Sequence, residues 1–160
     1  MRKGDHGGDM TDMERIVQLV KSQSTLTVTT CGADGAPRSA PLFYLAGDRL
    51  RLYWFSSSSS DHSRNLKKSP SAAVTIYRST EKWREIRGVQ MRGVVSLVTD
   101  PIQRAPIARE YARRFHLGAV LRAAMSRSSL FIFRPTWIRY VDNSKRLGYR
   151  FETSFELYPL

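Results

Sequence analysis

A chain of 160 residues, 41% of them hydrophobic, suffices for one packed core and leaves little room for a second domain. Its formal charge of +12, carried mostly by arginine, favours an anionic partner: nucleic acid, an anionic lipid face or a phosphorylated small molecule. The single cysteine, Cys31, excludes an intramolecular disulfide and a cysteine-based zinc site, and reads as a small strand residue.

The first ten residues, MRKGDHGGDM, are charged and glycine-rich with no apolar run behind them, so a signal peptide of the usual form is not expected. No run approaches the roughly 18 apolar residues that span a bilayer. A cytoplasmic protein is the expectation, with residues 1–9 disordered and 10–160 forming a single domain.

TDMERIVQLVKSQ predicts a helix of about three turns: Thr11 or Asp12 can cap it, and Glu14 completes a capping box with Thr11. TLTVTT then alternates as a strand, and Asp34-Gly35 supplies a hairpin turn. RSAPLFYLA is a second strand, Pro41 marking a bulge or an unpaired edge position. Gly47-Asp48 turns the chain into a third strand, RLRLYWF, and the three strands read as an antiparallel meander.

The serine run 56–60 follows, and Asp61 to Lys68 predicts a short helix capped by Ser60 or Asp61. SAAVTIY restarts β structure after Pro70, TEKWRE is a turn, and IRGVQMRGVVSLVTD is a long strand whose Gly88 and Gly93 suggest bulges or close approach. DPIQRAPIAREYARRFH is a helix capped by Asp100 with Pro101 at its first position, and the stretch from Ile102 on to Arg127 reads as basic and amphipathic helix throughout. SLFIFRPTWIRYVDN is the last strand, Pro135 implying another bulge. About six strands with few helices predict a mainly β fold: a six-stranded antiparallel barrel of Greek-key type with peripheral helices.

The three histidines, His6, His62 and His116, form no metal-binding spacing with carboxylates. No nucleophile elbow, P-loop or dinucleotide fingerprint is present. Anion binding remains. Ser56 to Ser60 place hydroxyls at a strand-to-helix junction where backbone N–H groups are free, and His62 and Arg64 stand in the first helical turn. An exposed serine loop ahead of an ordinary cap would read the same way. Arg38 with Ser39, and Arg87 with Gln90, sit on strands that can approach this junction, although either arginine equally suits a solvated strand face. Tyr44, Tyr53, Trp54 and Phe55 read as core or interface.

The succession PRSAPLFYL, LRLYWFSSSSSDHSRNLKKSPSAAVTI and IRGVQMRGVVSLV resembles the FMN-binding split β-barrel proteins of the pyridoxamine 5′-phosphate oxidase-like superfamily, from about Ser24 to Asn143. The strand Ile86 to Gln90, the helix Ala108 to Phe115 and the pair Asp142-Asn143 are similar to a small branch of it. The resemblance implies a homodimer with one flavin in each of two interfacial clefts. It assigns hydroxyls for the FMN phosphate to Ser56, Ser57 and Ser60. The basic position, lysine in many members, falls on His62, with Arg64 or Arg38 able to compensate. Arg38, Ser39 and Ala40 match the strand along the flavin ring and ribityl chain, Arg87 and Gln90 the strand on the other side. No pattern for binding pyridoxine phosphate is found, so that activity is not implied.

An FMN-dependent oxidoreductase acting on a small molecule is therefore expected. Relatives using the deazaflavin F420, whose tail is acidic, or storing and sensing flavin or haem, give alternatives within the fold. A basic nucleic-acid-binding module is the alternative of another class, disfavoured because basic residues scatter from Arg2 to Arg150.

Overall fold

The computed structural model describes residues 10–156. Helix α1, Asp12–Ser22, starts at Thr11, whose Oγ1 accepts from the Glu14 N–H at 3.2 Å while the Glu14 carboxylate accepts from the Thr11 N–H at 2.7 Å. This is the expected capping box. Ile16, Leu19 and Val20 share its buried stripe.

Strands β1 (Thr25–Cys31) and β2 (Pro37–Phe43) pair in unbroken register, from Thr25 opposite Phe43 to Cys31 opposite Pro37. Gly35, at φ 74°, makes the turn between them. The chain bends at buried Tyr44, whose hydroxyl donates to the Val20 carbonyl at 2.5 Å, and continues as β3, Leu45–Ala46. Then come β4 (Leu52–Ser56), α2 (Asp61–Lys68), β5 (Ser71–Tyr77), β6 (Arg87–Leu97), α3 (Pro101–Arg114), α4 (Ala119–Ser126), β7 (Ser129–Asp142) and β8 (Arg150–Ser154).

All strand pairs are antiparallel, in the order β2-β1-β5-β6-β7-β4-β3, with β8 added to β7. The two ends of that order, β2 and β3, are consecutive pieces of one segment bent at Tyr44. The sheet therefore curls round until its edges meet in a single bent stretch of chain, joined covalently and not by ladder hydrogen bonds: a split barrel. Alternation sends Leu26, Val28, Leu52, Trp54, Val74, Ile76, Val89, Met91, Phe133 and Ile138 inward to one core.

Three expectations are corrected. Among the described residues there are eight strands, not six. RSAPLFYLA divides at Tyr44, and RFETS at the end of the described chain adds β8. The meander is broken in its middle: the second predicted strand pairs with β1 through β2 and with β4 through β3, and β4 pairs also with β7, so β2 lies on β1 alone and Pro41 occupies an edge position. The basic helix is two helices. It stops at Phe115 because His116 turns to φ 49°, the His116 N–H reaches the Arg113 carbonyl and the Leu117 N–H reaches that of Ala112. That is a Schellman ending with histidine where glycine is usual.

Two backbone features bear on later sections. Across β6 and β7, Arg92 faces Trp137 and Gly93 faces Pro135, so Thr136 is the extra residue of a bulge. The β3–β4 turn places both Arg49 (φ 54°) and Leu50 (φ 57°) in the left-handed region, closed by an Arg51 N–H to Asp48 carbonyl bond of 3.1 Å. Such non-glycine residues cost about 1–3 kcal/mol each, and burial of the Leu50 side chain in the core offsets that cost here.

Candidate anion-binding corner

β4 runs out of the barrel at Ser56, and α2 begins five residues later, at Asp61, with Ser60 as its N-cap. α2 packs on β1 and β2, and its Asn65 amide donates to the buried Thr30 hydroxyl at 3.1 Å. This docking turns His62 inward, leaving it only 9% exposed. Its Nε2 lies 2.7 Å from Ser56 Oγ and 3.0 Å from Ser60 Oγ, and the two hydroxyl oxygens are 3.2 Å apart. Ser60 Oγ also sits 2.9 Å from the Ser57 carbonyl and accepts from the Ser63 N–H at 3.4 Å. Directing its hydrogen to that carbonyl leaves Ser60 a lone pair for His62, which suits the neutral tautomer with hydrogen on Nε2. Burial pushes the His62 pKa below the usual imidazole range, with Asp61 only partly opposing it.

The cations are close but engaged. Arg38 makes a bidentate pair with Asp34 at 3.2 and 2.9 Å, from the strand β2 on which α2 packs. Arg64 is held by the Asp61 carboxylate and the Ser59 carbonyl. Ser57 is exposed and turned into the loop, its Oγ 2.8 Å from that of Ser59.

The remaining sequence candidates are distributed otherwise. Ala40 shares the inward phase of β2 with Arg38 and packs against the core, whereas Ser39 points outward and bonds Thr29 at 2.8 Å. Arg87 and Gln90 lie in opposite phases of β6. Arg87 is at the barrel's end, 3.3 Å from the fully buried Asp142 carboxylate and 2.8 Å from Ser144 Oγ. Gln90 is exposed on the outer face, between Thr75 of β5 and Arg139 of β7. The structure thus gathers Ser56, Ser60 and His62 into one contact, sets Arg38 and Arg64 at its edge, and puts Ser39 and Gln90 on the outer sheet.

Three contributors to the corner went unnoticed in the sequence. Ser63 is fully buried beneath Ser60, Asn65 anchors α2, and Asp34 holds Arg38. The repeat Ser60-x-x-Ser63 at a helix start was the available signal for the first; the other two depend on docking that no local pattern announces.

As a donor set, two hydroxyls, an imidazole nitrogen and the N-terminal end of an eight-residue helix, flanked by two guanidinium groups, fit a phosphate monoester. Among the described residues no cluster of three or more metal-ligating side chains occurs. No helix of the described chain is long and apolar enough to cross a membrane.

A curled antiparallel sheet whose two edges lie in one bent segment, with this strand-to-helix corner, defines a split β-barrel protein. The chain belongs to the pyridoxamine 5′-phosphate oxidase family, whose model matches residues 13–142. It is 32% identical over 123 residues to a UPF0306 protein of Cronobacter sakazakii, covering 76% of this chain and 81% of that one. Among solved structures it is similar to the heme storage protein HutZ of Vibrio cholerae, with TM-score 0.66, 17% identity and coverage of 79% and 91% of the two chains. It is also similar to an FAD-binding protein of Mesorhizobium loti, with TM-score 0.62, 18% identity and coverage of 91% and 96%. At these identities the structural likeness shows the fold alone.

Proposed function

We propose that the chain binds FMN as a homodimer and serves as a flavin-dependent oxidoreductase on a small molecule. The observation that carries this reading is the Ser56–Ser60–His62 contact at the start of α2. These residues would hold the phosphate, with Arg38 and Arg64 exchanging part of their carboxylate pairing for it. The bound flavin would supply hydride or electron transfer; the protein would bind it, orient it and exclude water. An FAD-binding relative of the same fold supports a flavin. The heme storage relative raises haem as a ligand, but here His62 Nε2 is already occupied by two serines, which weakens it as an iron ligand.

The dimer reading rests on the outer sheet. Thr27, Thr29, Ala73 and Thr75 present small side chains across β1 and β5, with Gln90 beside them on β6. A second copy covering this face would enclose a flavin between protomers and bring Gln90 to its polar edge. A single, exposed Cys31 suits a reducing, cytoplasmic setting.

The test is titration of purified protein with FMN, followed by flavin fluorescence and thermal stability, with F420 and hemin in parallel. FMN is expected to bind and to raise Tm, and Ser56→Ala with His62→Ala to weaken it at least tenfold. Binding of F420 or hemin with no response to FMN would overturn the assignment.

A further inference from the structure

We propose that a second site, at the end of β4 opposite the serine–histidine corner, binds a small amphipathic carboxylate. A cavity of about 370 Å³ lies between α1, the β3–β4 turn and the segment after β8. Its floor is apolar: Met13 and Val17 of α1, Ala46, Leu50, Pro135 and Phe155. Among the described residues, four cations line it, Lys21, Arg49, Arg51 and Arg134, against two carboxylates, Asp48 and Glu156.

That combination selects a ligand class. The apolar floor takes a hydrocarbon body; the excess of two positive charges takes an anionic head. Neither Lys21 nor Arg51 has an ion-pair partner among the described residues. Arg134 spends one of its five N–H groups on Ser96 Oγ at 2.7 Å. A planar guanidinium meets a carboxylate in two parallel hydrogen bonds, which favours that head over a single-point anion. A medium-chain carboxylate such as decanoate joins such a body to such a head.

A second observation points to the same place. Arg49 and Leu50 are consecutive non-glycine residues at positive φ. Left-handed backbone of this kind concentrates at ligand clamps, where the surrounding structure holds it. Here it sends Leu50 into the floor while keeping Arg51 at the cavity wall. The site is separate from the flavin corner, because Arg51 and Ser56 flank opposite ends of β4.

The experiment is titration of the ¹⁵N-labelled full chain with decanoate, below its micelle concentration, read by amide shifts. Saturable shifts are expected at Met13 to Val17 and Ala46 to Arg51. Decanol, which lacks the charge, and acetate, which lacks the body, should each bind at least tenfold more weakly. Arg51→Glu alters a partly exposed side chain and should fold normally while losing at least tenfold in decanoate affinity. Val17→Phe fills the floor and should abolish binding. No shift at these amides, or equal binding to Arg51→Glu, would overturn the proposal. FMN affinity of Arg51→Glu is expected to be unchanged; its parallel loss would make the cavity part of the flavin site and overturn the claim of a second one.

Discussion

His62 Nε2 lies 2.7 Å from Ser56 Oγ, tying the first turn of α2 to the last residue of β4. The contact is short, its imidazole is buried, and burial holds the ring neutral. An anion bound at this point would therefore be coupled to the charge state of the ring.

The sign of that coupling follows. The folded-state pKa of His62 is lowered, so below the unfolded value of about 6.5 the unfolded chain binds more protons. Its contribution to stability is full above that value and is lost as pH falls through the folded pKa. In the apoprotein, Tm is expected to drop more steeply below pH 6.5 than in His62→Gln. Added phosphate or FMN should reverse part of the loss, because an anion stabilises the protonated ring. Identical pH profiles for the two proteins would refute the coupling.

Ser60 both caps α2 and faces His62, and substitution can separate these roles. Ser60→Ala removes the cap and should cost about 1 kcal/mol, read by chemical denaturation. Ser60→Asp keeps a favoured N-cap residue and should retain most of that stability. It places a negative charge where an anion would sit, so FMN affinity should fall at least tenfold. If Ser60→Asp binds FMN normally, the phosphate does not lie at this corner.

Much of the corner was legible because it is local. A cap, a helix and an arginine four residues after the cap are written in SSSSSDHSRN, and the alternation of β1, β5 and β6 declares which residues face the core. The grouping of strands was not. Whether β4 pairs with β2 or β7 depends on loop closure around Tyr44, a contact with α1 that no neighbouring residue signals. Arg87 and Gln90 illustrate the same limit: spacing by three on a strand puts them on opposite faces, whatever their shared segment suggests.

Asp142 is fully buried between Arg87, Tyr140 and Ser144. Burial alone would raise its pKa. The bonds from the Ser144 and Tyr140 hydroxyls and the Ser144 N–H, with the Arg87 charge, outweigh that and leave it below the ordinary value. Its stabilisation is thus full above the unfolded carboxylate pKa, about 3.9, and lost as pH falls through the lower folded value. Asp142→Asn should cost about 2 kcal/mol at neutral pH and flatten the acid limb of the stability curve. A neutral effect at pH 7 would show that the network contributes no net stability.

Gly93 and Gly88 both lie in β6, but only one is obligatory. A Cβ on Gly93 would meet the Arg134 carbonyl at 2.1 Å and the Phe133 ring at 2.7 Å; one on Gly88 would have ordinary contacts from 3.4 Å outward. Backbone cannot give way as a flexible side chain can, so Gly93→Ala should lose about 3 kcal/mol or more. Gly88→Ala should change stability by less than about 1 kcal/mol. Equal denaturation midpoints would mean the bulge at Thr136 relaxes to make room.

The outer sheet gives the last expectation. Ala73 stands between Thr29 and Arg92 in one cross-strand row, and Arg92 and Arg139 both lie over the Trp137 ring, at 4.6 and 5.1 Å. If two copies pack through this face, a glutamate at Ala73 brings bulk and a charge whose desolvation even Arg92, across the strand pair, repays only in part, a loss large enough to separate them. Ala73 is exposed in the single chain, so Ala73→Glu should fold with an unchanged monomer core. Sedimentation should then show dimer for the native chain and monomer for Ala73→Glu, with FMN affinity falling alongside. A dimer that persists in Ala73→Glu would place the interface on another face. A monomeric Ala73→Glu that still binds FMN tightly would mean that one protomer holds the whole cofactor, with Ser56, Ser60 and His62 sufficient and Gln90 of a second copy unnecessary.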